Sequence, residues 1–241
     1  MTEPDVLPTL SGLALALGGP ALLASPAHRL LGDADALRTR VVDQLCLLAM
    51  AGGVIAIVLL WEARPLASIG WRGIELAAIA WGAVLTIVFV WALLPVEGRV
   101  LARLRLGGFE KGLATLSRLP AWFLVFAALV AGAAEETLFR GYAFERVAEL
   151  TESYTIAGFV TVVLFALVHL RLWGWGPVVA FVVSGAVLTL FFVWRQDLLA
   201  NIVAHAATDA VGLLRASARV RKAAGCQRIA CSGSSTESRD A

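Results

Sequence analysis

Runs of apolar residues near the length of a bilayer crossing recur along this chain, and they constrain it more than any other feature. A helix needs roughly 20 apolar residues to traverse the hydrocarbon layer. Runs near that length fall at Leu10–Ala27, Val41–Trp61, Ile74–Val96, Pro120–Val147, Thr155–Leu170, Val178–Trp194 and Leu198–Leu214. The first is weakest, because Gly18, Gly19 and Pro20 interrupt it. Only helices and closed barrels satisfy their backbone groups in lipid, and runs of this length select helices. Composition agrees, with 59% hydrophobic and 16% charged residues, against about 45–50% and about 25% in soluble domains. The expected fold is therefore all-α, a polytopic transmembrane helix bundle of six to seven spans.

Between the third and fourth runs, Glu97–Leu119 is amphipathic and basic, carrying Arg99, Arg103, Arg105, Lys111 and Arg118. It is expected as one amphipathic helix lying on the membrane surface. Four regions follow: N-terminal spans over 1–96, the interfacial segment over 97–119, a helix bundle over 120–215, and a basic, Ser-rich disordered tail over 216–241. The acidic start lacks the positive region of a secretory signal, so the first run is expected as a weak span. Cys46, Cys226 and Cys231 have neither disulfide-framework nor zinc-ribbon spacing and read as reduced thiols. A net charge of +2 gives no argument for nucleic acid. With seven spans, fourteen Lys and Arg residues collect on one side and five on the other. The richer side, which holds the C-terminus, is expected to be cytoplasmic.

Against this background, ionisable residues inside apolar runs are the candidates for function. The fourth run contains Glu135, Glu136 and Arg140, the fifth contains His169, and the last contains Asn201, His205 and Asp209. Four residues apart on a helix, Glu136 and Arg140 share a face and can pair, which leaves Glu135 free as a base. His205 and Asp209 share a face in the same way. If the fourth helix stopped at Glu135, that carboxylate and His169 would sit near opposite surfaces. A helix extended to about Val147 brings Glu135, His169 and His205 to one depth. A separation of Glu135 from His169 beyond about 12 Å would exclude a shared site.

A carboxylate and two histidines in a membrane cavity suit activation of water for amide hydrolysis. Glu135 is the candidate general base, His169 helps hold the water, and His205, with Asn201 or Asp209, polarises the carbonyl. Glu135, His169 and His205 would also serve as zinc ligands, the alternative cofactor reading. Considered singly, the residues have plainer roles: a structural ion pair for Glu136 and Arg140, an interfacial histidine for His169, an interhelical hydrogen bond for His205.

Taken in order, Glu135-Glu136-x-x-x-Arg140-Gly141, Phe165-x-x-x-His169 and His205-x-x-x-Asp209 resemble the three motifs of the CAAX-protease and bacteriocin-processing (CPBP, or Abi) intramembrane endopeptidases. The resemblance covers about Leu119–Leu214. It implies an intramembrane endopeptidase of a bacterial-type plasma membrane, acting on a peptide or lipidated protein, of glutamate or metal type. It also implies Glu135 as the water-activating carboxylate, His169 as its partner and His205 as the oxyanion-binding group. The last motif commonly ends in Asn, and here it ends in Asp209, which donates a hydrogen bond only when protonated. The competing functions are a catalytically silent membrane scaffold or immunity protein, and a proton-linked carrier. Intact Glu135, His169 and His205 speak against the former. The absence of repeats and paired broken helices speaks against the latter.

Overall fold

The computed structural model describes residues 6–23, 36–107 and 109–234. Residues 24–27 of the first apolar run and Arg29 lie outside the described residues, as do the side chains of Lys111, Arg171, Cys226, Arg228 and Cys231. All regular structure described is helical. In chain order the helices are α1 (6–23), α2 (Leu37–Trp61), α3 (Leu76–Arg103), α4 (Glu110–Leu116), α5 (Ala121–Thr151), α6 (Tyr154–Trp173), α7 (Trp175–Arg195) and α8 (Leu198–Ser234). Four of them, α2, α3, α5 and α7, are both long and apolar enough to cross a membrane. Two shorter apolar helices, Val6–Leu22 and Tyr154–Leu170, correspond to the first and fifth runs. The last run forms the first half of α8, where Asn201 and His205 are buried.

Helix boundaries follow local chemistry. Pro120 precedes the first residue of α5, where its missing amide hydrogen costs nothing. Ser153 caps α6 by accepting the Ile156 N–H, and Asp197 caps α8 by accepting the Ala200 N–H at 3.2 Å. Gly174, at φ +84°, separates α6 from α7 in backbone space that favours glycine. In α3, Pro95 has no amide hydrogen and its ring crowds the preceding turn. The helix accordingly widens through Phe89–Leu93.

Two expectations are corrected. The segment Glu97–Leu119 is not one surface helix. Its first part continues α3 to Arg103, with Glu97 and Leu101 buried, and α4 is a separate short helix. The amphipathic pattern serves protein contacts as well as the interface, since Ser184 of α7 bonds Glu97. From 216 the chain does not become disordered but stays helical to Ser234. Alanine and arginine there are strong helix formers. Ser217 and Arg221 also fasten this helix by donating to the carbonyls of Ser117 and Leu119.

The expected lengthening of the fourth span does occur, and α5 reaches Thr151. Its middle section, Glu136–Phe144, forms wide π turns in which all nine residues are buried. A helix covered all round belongs at the centre of a bundle. Leu138, Phe139, Tyr142 and Ala143 pack there with Val54 and Val58 of α2 and Phe165 of α6. The N-terminal helices thus share one core with the motif-bearing helix.

Candidate active site

Close crossing of α5 and α8 sets the site. A methyl group on Gly132 would lie 2.7 Å from the Ala206 side chain and 2.8 Å from its backbone nitrogen, so only glycine lets the two helices touch here. One turn beyond Gly132, Glu135 and Glu136 come up against His205.

Glu136 is completely buried and receives three donors. Arg140 Nη1 lies 2.8 Å and His205 Nδ1 2.7 Å from its Oε1, while Asn201 Nδ2 lies 3.1 Å from its Oε2. The Arg140 guanidinium sits 4.2 Å above the Phe165 ring and donates its other nitrogen to the Gly185 carbonyl. Gly185 leaves room for it, since a Cβ there would meet Arg140 at 3.3 Å. Charge and hydrogen bonds thereby hold Glu136 as an anion with its lone pairs engaged, which fits it to position His205 rather than to act on a substrate.

Glu135 is placed differently. Its side chain is 16% exposed, and Oε2 has no hydrogen-bond partner. That oxygen stands 3.7 Å from His169 Nε2 and 3.9 Å from His205 Nε2. The three groups from three helices therefore meet, well inside the 12 Å limit. Both imidazoles are oriented from behind. The His169 Nδ1 lies 2.7 Å from the Phe165 carbonyl, which can only accept, so Nδ1 carries the hydrogen. Anionic Glu136 fixes the same tautomer at His205. Each ring thus turns Nε2 toward Glu135. Phe181 stacks beside His169, with centroids 4.3 Å apart.

Asp209 Oδ2 lies 3.6 Å from His205 Nε2, beyond hydrogen-bond length, and its side chain is 43% exposed. Asn201, expected near the carbonyl-polarising group, instead donates to Glu136 and to the Leu188 carbonyl. The sequence reading also missed the bond between Glu136 and His205. Sequence separation hid it, because the residues are 69 positions apart.

Glu135, His169, His205 and Asp209 line a cavity of about 390 Å³. Its remaining wall is largely apolar, including Phe89, Phe123 and Phe181, and Arg40 is the one Lys or Arg lining it among the described residues. The zinc reading fits poorly. Among the described residues no group of three or more His, Cys, Asp and Glu side chains is arranged to hold a metal. The 3.7 and 3.9 Å spacings also exceed the edge, about 3.3 Å, of a tetrahedron with zinc–ligand bonds near 2.0–2.1 Å.

A polar cluster lies further along α5. Arg146, fully buried, holds Glu62 through Nε and Nη2 at 2.6–3.2 Å and reaches Ser68 and Glu149. Tyr142 donates to Glu62 at 2.7 Å. Burial pushes the pKa of Glu62 up, but the bonds from Arg146 and Tyr142 and the arginine charge outweigh it, leaving the carboxyl below its usual range.

Residues 117–211 match the family described as Rce1-like, type II CAAX prenyl endopeptidase Rce1-like. That match covers the motif-bearing half of the bundle and supports a likeness to the CAAX-protease (CPBP) family. The matched family is one of endopeptidases, and the match together with the four long apolar helices supports an integral membrane protein. No curated protein and no solved structure matches the chain.

Proposed function

We propose that this protein is an intramembrane endopeptidase that hydrolyses a peptide bond with a water activated by Glu135. The observation carrying this reading is the unpartnered Glu135 Oε2, facing the Nε2 atoms of both histidines at the wall of a cavity. Separations of 3.7 and 3.9 Å are too long for direct hydrogen bonds, and they suit a bridging water. Glu135 takes one proton of that water while the oxygen attacks the carbonyl carbon, and His169 Nε2 holds the other hydrogen. The C–N bond then breaks, and Glu135 returns its proton to the leaving amine.

His205 faces the carbonyl oxygen. To donate from Nε2 it must be protonated on both nitrogens, with Glu136 and Asp209 as counter-ions on either side. A cationic donor aimed at the developing oxyanion is the kind of group that lowers such barriers most. Arg140, Asn201 and Glu136 act by orienting that ring. The Lys and Arg distribution over seven spans supports a cytoplasmic C-terminus. Cavity residues Arg40, Asp43 and Gln44 then come from the cytoplasmic end of α2, so substrate enters from that side of a bacterial-type plasma membrane.

The test is mass-spectrometric detection of cleavage of a peptide library by the protein in lipid nanodiscs. Wild type should cleave, with and without chelator. Glu135→Gln should lose about 10²- to 10⁴-fold in rate, the usual worth of a positioned base, without a change in melting temperature. Cleavage retained by Glu135→Gln would remove the mechanism, and loss on chelation would replace it with metal chemistry.

A further inference from the structure

The cavity holds a second carboxylate that the hydrolysis above does not use. Glu97, in the last turns of α3, is 7% exposed and lines the same cavity as Glu135. It accepts one hydrogen bond, from Ser184 Oγ at 2.8 Å. Among the described residues no Lys, Arg or His pairs with it, and its second oxygen takes no donor. An ionised carboxylate offers about four acceptor sites. One serine satisfies only one of them, in a cavity whose wall also includes Phe89, Leu94 and Leu188. A buried acid this poorly supplied is costly at membrane depth. If the need were only to link α3 to α7, a Gln or Thr would accept the serine hydroxyl without the charge.

Among the described residues, Asp43, Glu97, Glu135 and Asp209 line the cavity, against Arg40 alone among the lysines and arginines, with His205 as the further cation of the mechanism. Such a lining repels a substrate carboxylate and attracts a cation. A lysine or arginine fits the chemistry twice over: its charged end supplies the missing donors, and its aliphatic stem suits the largely apolar cavity wall. We propose that Glu97, with Ser184, is a specificity subsite that receives a basic side chain of the peptide substrate. This deepens the hydrolase reading and rests on it for the word substrate.

Binding tests this apart from catalysis. Fluorescent, C-terminally amidated decapeptides carrying Lys, Arg or the neutral isostere norleucine at each position in turn are titrated against the full chain in nanodiscs. Fluorescence anisotropy reports binding, and product formation is followed in parallel. At one position, Lys or Arg should bind wild type about tenfold or more tighter than norleucine, as expected of a partly desolvated charge pair. Glu97→Gln should erase that preference while leaving the norleucine peptides unchanged. Glu97→Lys should shift it to Asp or Glu. Ser184→Ala, which cuts the link between the helices but keeps the carboxylate, should retain the basic preference.

Equal wild-type affinity for Lys and norleucine at every position overturns the proposal, whether or not any variant folds. So does a basic preference that survives Glu97→Gln. A basic preference in binding with no cleavage anywhere leaves the subsite standing and removes the hydrolase. Cleavage with no basic preference does the reverse.

Discussion

Helix α5 carries two buried arginines six residues apart, and their surroundings differ in a telling way. Arg140 pairs with Glu136, one turn away on the same helix, at 2.8 Å. Arg146 pairs at 2.6 Å with Glu62, 84 positions away. Both guanidiniums are essentially sealed from solvent, and both pairs by themselves look like candidates for function. What separates them is where the carboxylate's remaining donors lead. From Glu136 they run to His205 and so to the cavity wall. From Glu62 they run to Tyr142, which also reaches the Thr9 carbonyl of α1. The first network orients His205, the group proposed to bind the oxyanion, and the second fastens the N-terminal helices to the core. A buried ion pair in a membrane is thus a marker of cost, and its role is read from the next bond outward.

The largest effects should come from breaking the two pairs in parallel. Removing one partner of a buried pair typically costs about 3–5 kcal/mol, because a charge is stranded. Arg146→Met should therefore lower the melting temperature strongly, yet leave the rate per folded molecule within about threefold. Glu136→Gln keeps shape but loses the charge that fixes His205, so the rate should fall about 100-fold or more. The double replacements sharpen the contrast. Glu62→Leu with Arg146→Met should recover much of the lost stability, as apolar replacements of whole pairs often do. Glu136→Leu with Arg140→Met can recover the fold but not the activity. Equal rate losses at both pairs, measured against thermal unfolding in the same nanodiscs, would abolish the distinction.

A smaller effect separates the pairs by pH. Glu62 titrates below its usual 4.5 in the folded protein. Protons therefore bind the unfolded chain first as pH falls. The stability supplied by the pair is fully present above about pH 4.5 and is lost as pH drops through the lower, folded value. Wild-type melting temperature should fall below about pH 4.5, and the fall should be shallower in Glu62→Gln. Parallel curves for the two proteins would mean that Glu62 is not the charged anchor of the N-terminal helices.

The same comparison explains what was legible in the sequence. Helix periodicity revealed Glu136 with Arg140 and the meeting of Glu135, His169 and His205, because four-residue spacing and shared depth are local or one-dimensional facts. It placed the end of α5 past Glu135 because only that brought the charges to one level. The link from Glu136 to His205 was hidden, since helix faces do not say which neighbour they meet. Glu62 lies just beyond the apolar run that ends at Trp61, so nothing in the run pattern marks it, although its side chain is 4% exposed. The amphipathic pattern of its segment places Glu97 at the membrane surface, and only the partner Ser184 reveals that its face turns inward. Ser and Gly in the last residues make 216–234 look like a tail, whereas the alanines and arginines before them continue the helix.

The finest test concerns Asp209, the one motif position that departs from the family pattern. Its carboxylate is 3.6 Å from His205 Nε2 and nearly half exposed, so it acts on the ring by a partly screened charge and without a hydrogen bond. An asparagine there contributes less charge but brings an N–H that can join His205 at the oxyanion. If Glu136 alone suffices to hold His205 charged, Asp209→Asn should raise kcat modestly, by less than about tenfold. If the second carboxylate is needed, kcat should fall instead, and most steeply at high pH, where the imidazolium is hardest to keep. A rise with an unchanged pH profile would show that the Glu136 network alone holds His205 in its working form, and would complete the contrast with the Glu62 network. A fall confined to high pH would divide that task between Glu136 and Asp209, and the site would then depend on two carboxylates where the sequence motif suggests one.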